Sequence, residues 1–234
     1  MESVFHFKQF SVKQQPEVFK IGTDAILLGA LPQIQLNATS KFLEIGSGTG
    51  IISLMLAQRF SNANIDAIEQ DELAFQLSSS NFKQSPFQNR LNCIHTKIQE
   101  WKPDYVYDHI FCNPPFFENS TKSDSLSHAR HNDLLTTNDL ARAVDRLLKS
   151  DGVFNVIYPV LEFEKLKKDA AKFELHPFHE IHINTRPEMP VVRIIGSFGR
   201  NLTETEVSHF TIRDKQHQFS DSYKKATADF HPFL

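Results

Sequence analysis

Two cysteines, eight glycines and one tryptophan are spread over 234 residues, and no apolar run is long. Each shortage excludes something. Cys93 and Cys112 are too few for a disulfide framework or a four-cysteine zinc site. Both stand in apolar runs, so they read as small buried hydrophobes in a reducing compartment. The 11 histidines include no HExxH pattern. His179 and His182 lie in the alternating run His176–Asn184, three apart, and so point to opposite faces of a strand. No metal is expected there. Nothing approaches the roughly 18 apolar residues of a membrane helix. Met1-Glu2-Ser3-Val4 lacks the basic flank and apolar stretch of a secretory signal, so a cytoplasmic protein is expected, away from any membrane.

Charge of one sign is also missing. The net charge is −3, with 9 Lys+Arg against 12 Asp+Glu in residues 1–120 and 16 against 16 in residues 121–234. A nucleic-acid partner must therefore use a local patch, not bulk charge. With 40% hydrophobic and 23% charged residues, the composition is that of a globular chain with a full core, not a disordered one. The length fits one large domain or one domain with a small appendage. The 21 phenylalanines are mostly accounted for as core.

Strand and helix patterns alternate along the chain. Val4–Lys13 alternates with period two and predicts a strand or small hairpin. Thr23 or Asp24 can cap a helix through Ala25–Leu31, closed by Pro32. Short apolar strands are expected at Lys41–Ile45, Ile65–Ile68, Leu91–His95, Tyr107–Cys112 and Gly152–Tyr158. Helices are expected at Ile51–Phe60, Asp71–Lys83, Asn138–Leu148 and Leu161–Phe173. This is the pattern of a doubly wound α/β sheet. His176–Asn184 and Val191–Gly199 are then joined by only six residues, enough for a hairpin and too few for a parallel crossover. The last strand is therefore expected to be antiparallel. Val207–Arg213 suggests a further strand, and Ser220–Phe230 a terminal helix. The polar stretch 117–136 reads as a long functional loop or a mobile one.

Three of the eight glycines, Gly46, Gly48 and Gly50, fall within five positions between a strand and a helix. Glycine permits positive φ there and lets backbone N–H groups approach a ligand. Glu69 ends the next strand, about 20 residues on, where a carboxylate binds ribose hydroxyls in nucleoside-binding folds. Glu44 precedes the loop and is placed to orient it or to accept a hydrogen bond from the ligand. A dinucleotide loop wants G-x-G-x-x-G, and here the third glycine comes one residue early. A phosphate-binding G-x-x-x-x-G-K-[ST] is absent. The Glu44–Gly50 form, E-x-G-x-G-x-G, resembles the S-adenosylmethionine loop of class I methyltransferases.

Asn113-Pro114-Pro115-Phe116 ends the fourth strand of the alternating sheet, at its carboxyl edge, where open α/β sheets bind ligands. The turn resembles the active site of amino-methyltransferases that act on planar nitrogen. An exocyclic amine delocalises its lone pair into the ring and is a poor nucleophile. The Asn113 side-chain oxygen and the Pro114 carbonyl can each accept one N–H and hold the nitrogen toward a pyramidal geometry. Proline fixes φ, so the turn is rigid. Phe116 can stack on the base. A sulfonium methyl is already activated, so neither a nucleophilic residue nor a metal is required.

The whole chain resembles the bacterial methyltransferase family that modifies N6 of adenine 37 in a valine tRNA. The matching pieces begin with Phe7-Lys8-Gln9-Phe10 and run on through 20–30, 44–50, 54–59, 65–69, Asn113–Phe116, Ala129-Arg130 and Ser222-Tyr223. The segment 22–30 and the near-colinear match point to this family rather than the wider superfamily. The resemblance implies a Rossmann-like class I domain over 33–234, with a seven-stranded, mostly parallel sheet and an antiparallel last strand. Residues 1–32 would be an extension packing on the cofactor site. It implies S-adenosylmethionine as cofactor, the anticodon loop of a tRNA as partner, and a monomer. Gly22, Thr23 and Asp24 would lie beside the methionine end of the cofactor. Gly46, Gly48 and Glu44 would surround its ribose and carboxylate, and Glu69 would hold the ribose diol. Related enzymes often place an acidic residue after the third strand to read the cofactor's adenine. Here Lys97 stands in that place and cannot accept the bond, which leaves the backbone at Ile98, or Gln99. Asn113 and Phe116 would handle the amine, with Arg130, His128 and His131 as helpers in the polar loop. Lys165, Lys167, Lys168 and Lys172 form a candidate phosphate face. Guanine-N2 methylation of ribosomal RNA, which shares the Asn-Pro-Pro-aromatic turn, and glutamine-N5 methylation of protein, whose side-chain amide is also a planar nitrogen, remain alternatives. A DNA methyltransferase would need a target-recognition domain for which the chain leaves no room, and an idle RNA-binding relic would not need Asn113 and Glu69.

Overall fold

The structure is a computed structural model and describes residues 3–18, 20–34, 40–115 and 135–231. Alternation at the start yields the expected hairpin, β1 (Ser3–His6) paired antiparallel with β2 (Ser11–Gln14). Helix α1 comes next (Thr23–Ala30). Its N-cap is Gly22, with no side-chain cap, so neither Thr23 nor Asp24 caps it. Both stand inside the first turn, and Asp24 is engaged elsewhere.

Alternating α/β elements continue the chain: β3 (Ser40–Ile45), α2 (Ile51–Arg59), β4 (Ala63–Glu69), α3 (Glu72–Lys83), β5 (Leu91–His95) and β6 (Tyr107–Cys112). After them come α4 (Thr137–Leu147), β7 (Leu148–Tyr158), α5 (Val160–Ala171), β8 (His176–Asn184), β9 (Val191–Gly199), β10 (Glu206–Thr211) and α6 (Asp221–Thr227). Asp71 caps α3, its side chain accepting the Ala74 N–H at 2.9 Å. Thr136 caps α4 in the same way through Asp139. In α4 the buried Leu140, Ala141, Val144 and Leu147 recur at helical spacing and face the sheet.

The eight strands of the main sheet run β10-β8-β9-β7-β6-β3-β4-β5. Only β9 is antiparallel to its neighbours, β7 and β8. It is the expected hairpin strand, and the hairpin tucks it inside the sheet. β10 adds an eighth strand at the edge, parallel to β8, so the sheet has eight strands and not the expected seven, and the antiparallel strand is the last but one in the chain. β7 begins earlier than its apolar run, because Leu148 pairs with Tyr107 before a bulge resets the register at His109↔Val153.

Two apolar layers cover the sheet. Residues of α1, α2 and α6 pack on one face with Phe7, Phe10 and Val12 of the N-terminal segment. Residues of α4 and α5 pack on the other. β6 is buried along its whole length, as a central parallel strand must be. No helix among the described residues is long and apolar enough to cross a membrane.

Candidate active site

The chain reverses its direction of travel across the sheet between β3 and β6, since β4 and β5 lie on one side of β3 and β6 and β7 on the other. That is the switch point where open α/β sheets bind ligands. Register aligns the candidate residues there. Ile45 pairs with Ile68 on one side and with Cys112 on the other. Gly46, Glu69 and Asn113 each come next in chain order, so they share one line across three adjacent strands. The Cys112 thiol donates to the Ile45 carbonyl at 3.4 Å.

After Ile45 the loop bends over β4. The N–H groups of Gly46 and Ser47 both donate to the Ile68 carbonyl, at 2.9 and 3.1 Å. Gly46, Gly48 and Gly50 have φ of 77°, 53° and 79°. At Gly50 a side chain is excluded twice over, since a Cβ would come within 2.5 Å of the Phe82 ring. Over Gly46 and Gly48 a Cβ would meet nothing within 4 Å, so their backbone borders open space.

Glu69 is 8% exposed. One carboxylate oxygen accepts the Gly48 N–H at 2.8 Å, and the other accepts those of Gln70 and Asp71 at 2.9 and 3.0 Å. A carboxylate offers about four acceptor positions, so one is left for a hydroxyl. Bare backbone beside a buried acid suits a ribose.

Glu44 turns the other way. It is 1% exposed, and its Oε2 accepts from the Ser53 N–H at 3.0 Å and from the Ser53 hydroxyl in the first turn of α2. Its Oε1 is buried with no partner among the described residues. Burial pushes its pKa up to about 8, against the pull of the Ser53 bonds. Glu44 therefore anchors the helix behind the loop.

Asn113 is half-buried, Pro114 buried and Pro115 exposed. Among the described residues nothing hydrogen bonds to the Asn113 side chain. Burial pushes the Cys112 thiol and the Tyr158 hydroxyl well above their ordinary ranges, so both are neutral. A neutral thiol is a poor nucleophile, so Cys112 does not compete with a substrate amine. Phe116, His128, Arg130 and His131 lie outside the described residues.

The segment Gly22–Asp24 reaches the same edge of the sheet. The Gln14 side chain accepts the Ile21 N–H at 2.9 Å, and Arg193 near the start of β9 pairs with Asp24 at 2.9 Å. Ile98 is buried, and its carbonyl accepts from Arg146 of α4 at 3.0 Å. Of the candidate phosphate lysines, Lys167 binds Glu180 at 2.9 Å and Lys172 binds Asp169 at 2.6 Å.

Sequence reading missed two residues. Asn81 of α3 is 1% exposed and bonds Lys13 through both its N–H, at 2.9 Å, and its carbonyl, at 3.1 Å, while donating to the Thr49 carbonyl at 2.9 Å. It fastens the N-terminal hairpin to the glycine loop. Arg193 is the other. The signals were weak: an amide on a buried helix face, and one charge within the apolar run 191–195.

Comparison with known proteins gives the family and the fold. The methyltransferase small domain family matches residues 9–166. A tRNA1(Val) (adenine(37)-N6)-methyltransferase of Flavobacterium psychrophilum is 39% identical, over 97% of this chain and 99% of its own length. In structure, a predicted O-methyltransferase from Agrobacterium tumefaciens superposes with a TM-score of 0.70 at 15% identity, covering 88% of this chain and 96% of that one. TYW2 from M. jannaschii, solved in complex with AdoMet, gives 0.58 at 14%, covering 86% and 87%. At such identities the two structures speak for the fold alone.

Proposed function

We propose a reaction from the premise that this chain belongs to the methyltransferase small domain family, among the tRNA1(Val) (adenine(37)-N6)-methyltransferases. It transfers a methyl group from S-adenosylmethionine to N6 of an adenine in a tRNA, adenine 37 of a valine tRNA. The observation that carries the reading is the line of Gly46, Glu69 and Asn113 across β3, β4 and β6. Bound there, the donor supplies a methyl group already activated by its sulfonium.

The chain's own residues then bind and orient. Glu69 accepts a ribose hydroxyl on the position its three N–H bonds leave open. The backbone of Gly46 and Gly48 lets the donor approach without a side chain between. Gly22, Thr23 and Asp24 wall the methionine end, with residues 1–32 acting as an extension over the site. Glu44 supports the loop from behind, and the backbone at Ile98 flanks the adenine. Asn113 Oδ1 and the Pro114 carbonyl each accept one N–H of the target amine and turn its lone pair toward the methyl group. Phe116 stacks on the base, and Arg130 and His128 contact the RNA. The target base must leave its loop stack, at a cost of a few kcal/mol. No metal takes part in this reading, and the enzyme works as a cytoplasmic monomer.

Single-turnover methyl transfer to unmodified tRNA, with product nucleosides identified by mass, tests the reading. Asn113→Ala should lower the rate by ~100-fold or more and leave the dissociation constant for S-adenosylmethionine unchanged. Near-normal turnover would remove Asn113 from the mechanism. N2-methylguanosine as the wild-type product would replace adenine with guanine as the target.

A further inference from the structure

None of the residues placed above at the donor or the amine lies on β10 or in the turn that follows it. β10 runs parallel to β8, with Thr211 level with Asn184, so the chain leaves it at the carboxyl edge of the sheet, on the same side as Asn113. Strand order then sets the layout. The glycine loop and Glu69 lie on the β4 side of Asn113, and the end of β10 lies four strands away in the opposite direction. At about 4.8 Å per strand that is roughly 19 Å.

Past the end of β10 the chain forms a built turn. Arg213 and Phe219 make an isolated antiparallel bridge. Asp214 N–H donates to the Gln218 carbonyl at 2.9 Å, and Asp214 Oδ1 accepts the N–H groups of Gln216 and Gln218 at 2.9 Å each. His217 takes a left-handed φ of 64° to close it. The acid is thereby used inside the turn, while Arg213, Lys215, Gln216, His217 and Gln218 are exposed. Lys215 has no ion-pair partner among the described residues.

Arg213 is held flat. Its guanidinium lies 4.5 Å over the Phe219 ring and donates to the His217 carbonyl at 2.7 Å. Phe219 stacks on the buried Tyr223 at 4.4 Å and 10°. From the loop after β8, Arg186 donates to His217 Nε2 at 2.9 Å and pairs with Glu188 at 3.2 Å. A guanidinium backed by an aromatic ring on one face presents the other face to a nucleobase. An unpaired lysine beside it suits a phosphate. A chain with a net charge of −3 needs a local patch of this kind to hold RNA, and two lysines of α5 and its C-terminal end are already paired with carboxylates.

We propose that the turn 213–219 is a second contact for the RNA substrate, in which Arg213 stacks on a nucleotide outside the target base and Lys215 holds a backbone phosphate. This rests on the reading of the substrate as RNA. The test measures the affinity of the full chain for an unmodified tRNA transcript at several salt concentrations, with calorimetry of S-adenosylmethionine binding as control. Lys215→Ala, whose side chain holds nothing in the fold, should lower the slope of log affinity against log salt by about one. Arg213→Lys keeps the charge but loses the plane, so it should weaken binding about fivefold or more at an unchanged slope. Both should bind S-adenosylmethionine as wild type does. If both variants bind tRNA like a wild type that methylates it, the turn is not a contact and the proposal falls. If the wild type itself neither binds nor methylates tRNA, the reading beneath the proposal fails, and the wild-type measurement alone identifies that case.

Discussion

Glu44 and Glu69 come out of the same spacing pattern and do opposite things. Both end or nearly end a strand at the switch point, yet Glu69 receives three N–H groups at the loop while Glu44 is sealed behind it with one oxygen unpartnered among the described residues. Spacing identifies the strand end and not the direction of the side chain, so the sequence left Glu44 between orienting the loop and meeting the ligand, and the Ser53 bonds place it on the loop side. Its raised pKa has a consequence for stability. The folded value is about 8 against an ordinary 4.5. Between those values the native state keeps a proton that the unfolded chain releases, so stability is full at the acid end and falls as pH rises through the window. The loss is at most about 1.4 kcal/mol per pH unit. Glu44→Gln should flatten that dependence. Urea melts at three pH values between about 5.5 and 7.5, inside that window, measure it, and equal slopes in both proteins would place the titrating group elsewhere.

Elements were the most readable, because the strands around the switch point, β3, β4 and β6, centre on short apolar runs closed by a turn or cap. β5 and β6 follow their runs residue for residue. The start of β7 did not, since Lys149-Ser150-Asp151 is polar and joins the strand only because Leu148 pairs with Tyr107 across a bulge. What no local pattern carries is the fastening of one element to another. Asn81 bonds residues 68 and 32 positions away, so only the folded chain displays it. Asn81→Ala would leave the Lys13 N–H and carbonyl and the Thr49 carbonyl without this partner, at a cost of about 2–4 kcal/mol in stability. It should also loosen the hairpin over the glycine loop. Calorimetry on the folded variant should therefore give weaker S-adenosylmethionine binding, whereas a stability loss with unchanged affinity would confine Asn81 to the scaffold.

The whole molecule is held together by contacts between parts of the chain that are far apart in sequence. Strand order could be anticipated only in part. The six-residue link before β9 announced an antiparallel strand, and the run Val207–Arg213 announced β10 but not its place at the sheet edge. Asp24 and Arg193 are 169 residues apart and meet at 2.9 Å. Arg193→Ala should weaken S-adenosylmethionine binding although it stands on β9, because it frees the first turn of α1. An unchanged dissociation constant would show that α1 is held without it. A second such closure joins Lys8 to the far end of the fold: its N–H donates to the Phe230 carbonyl at 2.8 Å and its ammonium group to the Ala228 carbonyl at 2.6 Å. Synthesis runs from the N-terminus, at about 5–20 residues per second. A nascent chain that has reached residue 190 already holds the glycine loop, Glu69 and Asn113, yet lacks Arg193 and both carbonyls that receive Lys8. The segment before the glycine loop is thus made first, yet its bonds to Ala228 and Phe230 form last, and a ribosome-bound intermediate carries Asn113 before Asp24 has met Arg193.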